Sequence, residues 1–356
     1  MLFKIMRLFI TLIFSAILSI GCDSVKSAIE QDENTTPVAP GSVTATVNGK
    51  EISLSWSTVT NISSYNVYYA KETFSSLSGS LVNYQSLNGG TKISTTSKPL
   101  TIANLDPFTK YYFVVTAQNA IKESSPSQEV TATIDITREG LVVEYLFNGN
   151  ANDSSGYDNN PTDNEATLTT DRFDQPNSAY QFNGNASYIR VPHKENLNNV
   201  YVTLSVWVNL ESANHATNET IISKSCDYCS STKSTYQLMT GASNTPGLIA
   251  GNLVTAVGGK ATYFETSAPQ TSELDLSKWH HVTMTWDGDS NKLYYNSKLV
   301  ASGKHDGQLA VSTGYIYIGR DGYNIKPHFK GKIDDIRIYG RALSIDEIDI
   351  ITQAGK

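Results

Sequence analysis

Four groups of residues in this 356-residue sequence have the types and spacing to do chemistry. Glu347-Ile348-Asp349 sets two carboxylates two positions apart. On a strand, alternation would put both on one face, and a pair about 5–5.5 Å apart is what retaining glycoside hydrolysis uses. Ser344-x-x-Glu347, however, has the spacing of a capping box, in which a serine oxygen and a glutamate side chain satisfy the first free amides of a helix. Leu343, Ile345 and Ile348 then suit a helical apolar face, so the pair is split and no enzyme is expected from it. In IDDIRIY, strict alternation groups Asp334 with Ile336 and Ile338, and Asp335 with Arg337. A carboxylate at the edge of an apolar face needs a cation or several hydrogen-bond donors. Cys226-Asp227-Tyr228-Cys229 is a C-x-x-C. Redox work would need a helix N-terminus in a thioredoxin-like setting, and zinc would need a second pair of ligands. In an oxidising compartment a disulfide that pins a loop tip and leaves Tyr228 projecting is the expectation. Trp279-His280-His281 opens a strand, and two histidines without a nearby acid are read as structural.

These residues depend on strands to place them. From Trp279 to Arg341, Val282, Met284 and Trp286 alternate with His281, Thr283 and Thr285, the period-2 pattern of a half-buried strand. Asp287-Gly288 stops it. KLYYNSKLV reads as two strands joined at Asn296-Ser297, and Ile316/Ile318 and Ile336/Ile338 alternate again before a short helix. Earlier, Ile52, Leu54 and Trp56 share one face of a strand, SYNVYYA and YYFVVTAQN supply two more, and Leu105-x-Pro107-x-Thr109-x-Tyr111 lies between those two. Many short strands punctuated by turns make sandwiches.

The L-x-P-x-T-x-Y run with Trp56 and the SPSQEVTATI strand resembles a fibronectin type III domain over 38–136. Tyr111 would then be the corner tyrosine, its hydroxyl bonding back to nearby backbone. No RGD tripeptide occurs in the chain, so a spacer is expected rather than an adhesion site. The later segments, with GLVVEYLFNGNANDSSG, YQFNGNASYIRVP and VTLSVWVNL before them, resemble the laminin-G-like jelly roll of the concanavalin A-like lectin/glucanase superfamily over 139–354. The expected fold is all-β, a fibronectin type III sandwich followed by a concanavalin A-like jelly-roll sandwich.

The second resemblance implies more. Glucanases of the superfamily carry a further acid after E-[I/L]-D, and this chain has Ile351-Thr352 there instead. Asp334 matches the aspartate of a D-x-[VI]-R-[VI]-Y strand that often holds a structural calcium. Backbone oxygens near Gly184 and a turn carboxylate such as Asp153 would complete the set. The alternative is an Asp334 bonded to amides and an Asp153 that caps the DSSG turn. Loops carry function on such scaffolds, so Tyr228, Tyr263, Phe264 and Tyr323 are candidates for stacking on a sugar ring. The function implied is non-catalytic recognition of a glycan or glycosylated surface. Protein–protein adhesion or a degenerate glycoside hydrolase are the alternatives.

Charged residues make up 17% of the chain and the formal net charge is -7. That describes a folded protein without the basic footprint of a nucleic-acid binder. Twenty tyrosines suit strands and binding surfaces equally. Lys4 and Arg7 precede LFITLIFSAILSI, which is too short to span a ~30 Å hydrocarbon core as a helix but fits a signal-peptide core. The run ends at Ser19-Ile20-Gly21-Cys22. A cysteine in that place resembles a bacterial lipobox, although Ser19 stands where the pattern has Leu, Val or Ile. Residues 1–21 would be a signal peptide, Cys22 the lipidated mature end, and the polar residues 22–37 a tether. The expected location is a bacterial cell envelope, lipid-anchored at the outer membrane or cell surface, with membrane contact through the lipid only. Ser19-x-Gly21 also suits ordinary signal peptidase, which would leave a secreted or periplasmic chain.

Overall fold

A computed structural model describes residues 34–74, 90–211, 219–225, 234–240, 248–257, 260–269, 274–322 and 328–354. The chain divides into two compact units, residues 1–135 and 136–356. In the first, β1 (Thr44–Asn48), β2 (Glu51–Ser55) and β5 (Leu100–Ile102) form one sheet. The other runs in the order β4 (Thr91–Thr95), β3 (Ser64–Ala70), β6 (Lys110–Gln118), β7 (Val130–Thr133). The alternating residues Ile52, Leu54 and Trp56 are buried, as are Tyr65, Val67, Phe113 and Val115 from the other sheet. Trp56 meets Tyr65 edge-on, 5.2 Å between centroids. The Tyr111 hydroxyl accepts from the Asp106 amide at 3.0 Å, the corner expected from sequence. Tyr111→Phe would leave that amide without its acceptor and is expected to lower the unfolding free energy by about 1–3 kcal/mol. Urea titration of the variant checks it, and an unchanged midpoint would show that the corner bond contributes nothing.

The second unit stacks two larger sheets. The first has the order β10 (Thr167–Thr169), β11 (Ala179–Asn183), β23 (Lys330–Tyr339), β13 (Val202–Leu210), β18 (Trp279–Trp286), β19 (Ser290–Tyr295), β20 (Lys298–Lys304), with β8 (Leu141–Tyr145) also on β23. The second has the order β17 (Lys260–Ser267), β16 (Ala250–Val257), β15 (Ser234–Thr240), β14 (Glu219–Ser225), β22 (Ile316–Ile318), β12 (Ile189–Val191), β9 (Asp163–Asn164), with β21 (Gln308–Leu309) on β16. Val206, Val282, Met284, Trp286 and Ile336 of the first sheet share one core with Ile189, Ile222, Leu238 and Ile318 of the second. Each such side chain contributes about 1.5–3 kcal/mol by leaving water. Between the sheets, a Cβ on Gly251 would stand 2.5 Å from the Met284 sulfur, so only glycine fits against Met284 there. Asn296 and Ser297, at φ 46° and 62°, make the tight turn between β19 and β20 that the sequence marked.

The outer face of the first sheet departs from the half-buried expectation. His281, Thr283 and Thr285 are 1%, 0% and 2% exposed. The reason is the helix α1 (Ile345–Gln353), which lies against this face, with Leu343, Ile348 and Ile351 clustering with Tyr294 and Tyr339. Its start is the capping box read from sequence. Ser344 Oγ accepts from the Glu347 amide at 3.3 Å, and the Glu347 carboxylate accepts from the Ser344 amide at 2.8 Å. Ile345, expected on the buried face, is 48% exposed.

Candidate binding face

Beside Asp334, for which the resemblance implied a calcium ion and hydrogen-bond donors were the alternative, stands an arginine. Strict alternation fails in β23. The ladder pairs Ser205 with Arg337 and Trp207 with Asp334, so a β-bulge absorbs one residue, and Asp335 sits there at φ 45°. Asp334 therefore shares its face with Arg337, whereas Ile336 and Ile338 turn into the core. Burial, followed by the charge of Asp335, pushes the Asp334 carboxyl up, and the Arg172 guanidinium pulls against both. Arg172, from the β10–β11 loop, reaches Asp334 at 2.7 Å, Asp335 at 2.6 Å and the Ala354 carbonyl at 2.9 Å. Its guanidinium carbon lies over the Trp207 ring, 4.7 Å from the centroid. The chain of charges continues from Asp335 to Arg337, Glu144 and Arg138, alternating in sign.

Asp153 accepts from the amides of Glu144, Ser155 and Asn159 and from the Ser155 hydroxyl, which makes it the cap of its own turn. The Gly184 amide donates to the Phe329 carbonyl at 3.1 Å. Three guanidiniums already balance the three carboxylates of this network, and both Asp334 oxygens are engaged. Among the described residues no three His, Cys, Asp or Glu side chains are grouped to hold a metal. The donor set does not fit a resident divalent cation at Asp334. EDTA is accordingly expected to leave the thermal midpoint unchanged to within about 1 °C. A fall in EDTA that calcium restores would contradict this.

The other chemical candidates are equally occupied. Glu347 holds Arg341 through both carboxylate oxygens, at 3.0 and 2.5 Å, and Asp349 accepts from Ser297 at 2.8 Å. Being two apart on α1, they do not face one another. His280 bonds the Asp275 carbonyl and the Tyr295 hydroxyl. The His281 ring lies between Ser205 Oγ and Thr352 Oγ1, both at 2.8 Å. Thr352 gives its own proton to the Ile348 carbonyl, so toward His281 it accepts. The ring proton is then on Nδ1, and Nε2 accepts from Ser205.

Cys22, Cys226, Tyr228, Cys229 and Tyr323 lie outside the described residues. Tyr263 and Phe264 are neighbours on β17 and therefore face opposite sides, so they cannot hold one ligand together. Phe264 stacks on His305 at 4.2 Å. Tyr263 pairs its hydroxyl with Glu265 at 3.2 Å, and burial, then that carboxylate, raises its phenol.

What the sequence reading missed is the outward face of the second sheet at its β9–β12–β22 end. Ile189, Ile316 and Ile318 point into the core, so alternation turns Tyr188, Arg190, Tyr315 and Tyr317 outward. The Arg320 guanidinium lies 4.6 and 4.5 Å from the rings of Tyr188 and Tyr317, which are themselves 6.2 Å apart and flank it on adjacent sides. Arg190 lies over Tyr315 at 4.9 Å and pairs with Asp163. Register then carries the row inward from Tyr317 through Ser223, Gln237 and Asn252 to Glu265. Asn252 Nδ2 donates to Gln237 Oε1 at 3.0 Å. Tyr315 is 41% exposed, so the tyrosine–arginine end of the row meets solvent. Stacked guanidiniums have fixed planes and offer their N–H edges to an acceptor, a geometry suited to hydroxyl-rich or anionic ligands. The alternation in SYIRVP and YIYIGRDG was a usable signal for these residues.

Residues 183–349 match the family model of the concanavalin A-like lectin/glucanases superfamily, and residues 38–133 that of the fibronectin type III domain. The fold is a fibronectin type III domain followed by a jelly-roll sandwich, as the sequence led one to expect. Among solved structures, the binding domain of Paraclostridial Mosquitocidal Protein 1 is 18% identical, covers 61% of this chain and 52% of that one, and has a TM-score of 0.48. The botulinum neurotoxin serotype D binding domain gives 20%, 61%, 52% and 0.47. Domain 4 of an extracellular GH43 arabinanase from Geobacillus stearothermophilus, solved in complex with arabinotriose, gives 20%, 60%, 98% and 0.44. The match thus spans about half the length of the two toxin structures. No curated protein matches the chain.

Proposed function

We propose that the jelly-roll domain binds carbohydrate without catalysis, through the outward tyrosine–arginine face of its second sheet, with the fibronectin type III domain as a spacer. The observation that carries this reading is the set Tyr188, Arg190, Tyr315 and Arg320, which combines aromatic faces and N–H donors at one edge around the buried ring of Tyr317. Sugars are recognised by that combination, apolar C–H faces against rings and hydroxyls against planar donors. The absence of catalysis in the proposal rests on Glu347 and Asp349, which are committed to holding α1 in place. A lipid anchor at Cys22, a Cys226–Cys229 disulfide and ligand contacts from Tyr228 and Tyr323 belong to the same proposal. Affinity electrophoresis of the chain through gels carrying soluble polysaccharides tests it. Retardation by at least one polymer, reduced in Tyr315→Ala, is expected. A folded chain that migrates unretarded in every gel overturns the reading and leaves a protein partner as the alternative.

A further inference from the structure

Resting on that carbohydrate reading, we propose that the ligand is an acidic sugar polymer whose carboxylate is taken by Arg320. Of the two arginines in the ladder, only Arg190 has a carboxylate partner, Asp163. No carboxylate among the described residues pairs with Arg320, and Asp321, beside it in sequence, accepts from Ser234 Oγ at 2.8 Å. Arg320 Nε is buried without a hydrogen-bond partner. The rings of Tyr188 and Tyr317 lie 4.6 and 4.5 Å from the guanidinium carbon and 6.2 Å from each other, so they flank it on adjacent sides, and the partly buried guanidinium offers a ligand the N–H edge that points away from them. That edge matches a planar carboxylate through two parallel N–H···O bonds. The stacking fixes the plane before binding, which reduces the ordering cost of the long side chain. Arg190 and Asp163 cancel, so the ladder carries one uncompensated positive charge on a chain whose net charge is -7. A neutral sugar would leave that charge unused. A uronate-type carboxylate neutralises it.

The test measures binding of the full chain to polygalacturonate and alginate, to their methyl-esterified forms and to neutral galactan. Uronate binding is expected to fall with added salt and with esterification. Arg320→Ala is expected to weaken it by roughly tenfold to a hundredfold, the scale of hydrogen bonds to charged groups. Arg320→Lys keeps the charge but not the fork and is expected to recover only part. Circular dichroism confirms that both variants fold. Equal binding to esterified and free polymers, or an Arg320→Ala variant that binds uronates like the parent, overturns the acidic-sugar inference and leaves the carbohydrate reading standing. Binding to none of the polymers, acidic or neutral, overturns both.

Discussion

Replacing Arg172 with methionine is expected to lower the unfolding free energy by about 3–5 kcal/mol, because Asp334 would lose its cation and Asp335 would keep only the 3.9 Å contact with Arg337. Their environment gives the effect its size, since the side chains of Asp334 and Asp335 are 3% and 13% exposed and that of Arg172 is 7% exposed. Burial and like charge already push the Asp334 carboxyl up with Arg172 in place, so without Arg172 it takes up a proton more readily and the loss is expected to be smaller at acid pH than at neutral pH. The loss would be felt in three elements, since Arg172 ties the β10–β11 loop to β23 and to the end of α1. A double-mutant cycle with Asp334→Asn separates charge from packing. Removing one stranded carboxylate should recover part of the loss, so the double variant should be more stable than Arg172→Met alone. Denaturant unfolding of the four proteins measures it. A change within about 0.5 kcal/mol for Arg172→Met, the range of ordinary surface substitutions, would contradict the clamp.

Acidification below pH 6.5 is the second large effect expected, and it comes from His281. Burial, then the positive charges of Arg337 and Arg172, lower its ring to about 3. Its ordinary value in the unfolded chain is about 6.5. The unfolded chain therefore binds the proton that the folded one refuses, and stability falls as the pH drops. The contribution of the neutral ring is complete above about 6.5 and is lost progressively toward about 3, reaching about 3 kcal/mol by pH 4. His281→Gln removes the titrating group and should flatten the stability curve between pH 6.5 and 4, whatever it costs at neutral pH. Parallel curves for parent and variant in that window would show that His281 is not the source.

The sequence carried the β-sandwich order because period-2 alternation is local and each core residue reports its own face, as Ile189, Ile316 and Ile318 do. It carried the capping box of α1 and the Asn296-Ser297 turn for the same reason, since each is decided within four residues. It misplaced Asp334 because one residue of bulge at Asp335 reverses the parity of everything before it, and alternation counted along one strand cannot detect an extra residue. Arg172 was invisible for a different reason. Its partners are on β23 and at the end of α1, far along the chain, and the loop that delivers it has no periodic signal of its own. The tyrosine–arginine face falls between these cases. Each outward residue was legible from its inward neighbour, but the pairing of β12 with β22, which sets Arg190 opposite Tyr317 and brings Tyr188 and Tyr315 alongside on the diagonals, is a long-range contact that only the fold supplies.

The most direct measurement is a glycan-array screen of the full chain beside Tyr315→Ala and Arg190→Ala, each checked for folding by circular dichroism. The expected result is binding by the parent to a defined class of glycans, reduced in both variants with the folded signal unchanged. A folded parent that binds no glycan, or one that binds equally well after both substitutions, would contradict recognition at this face.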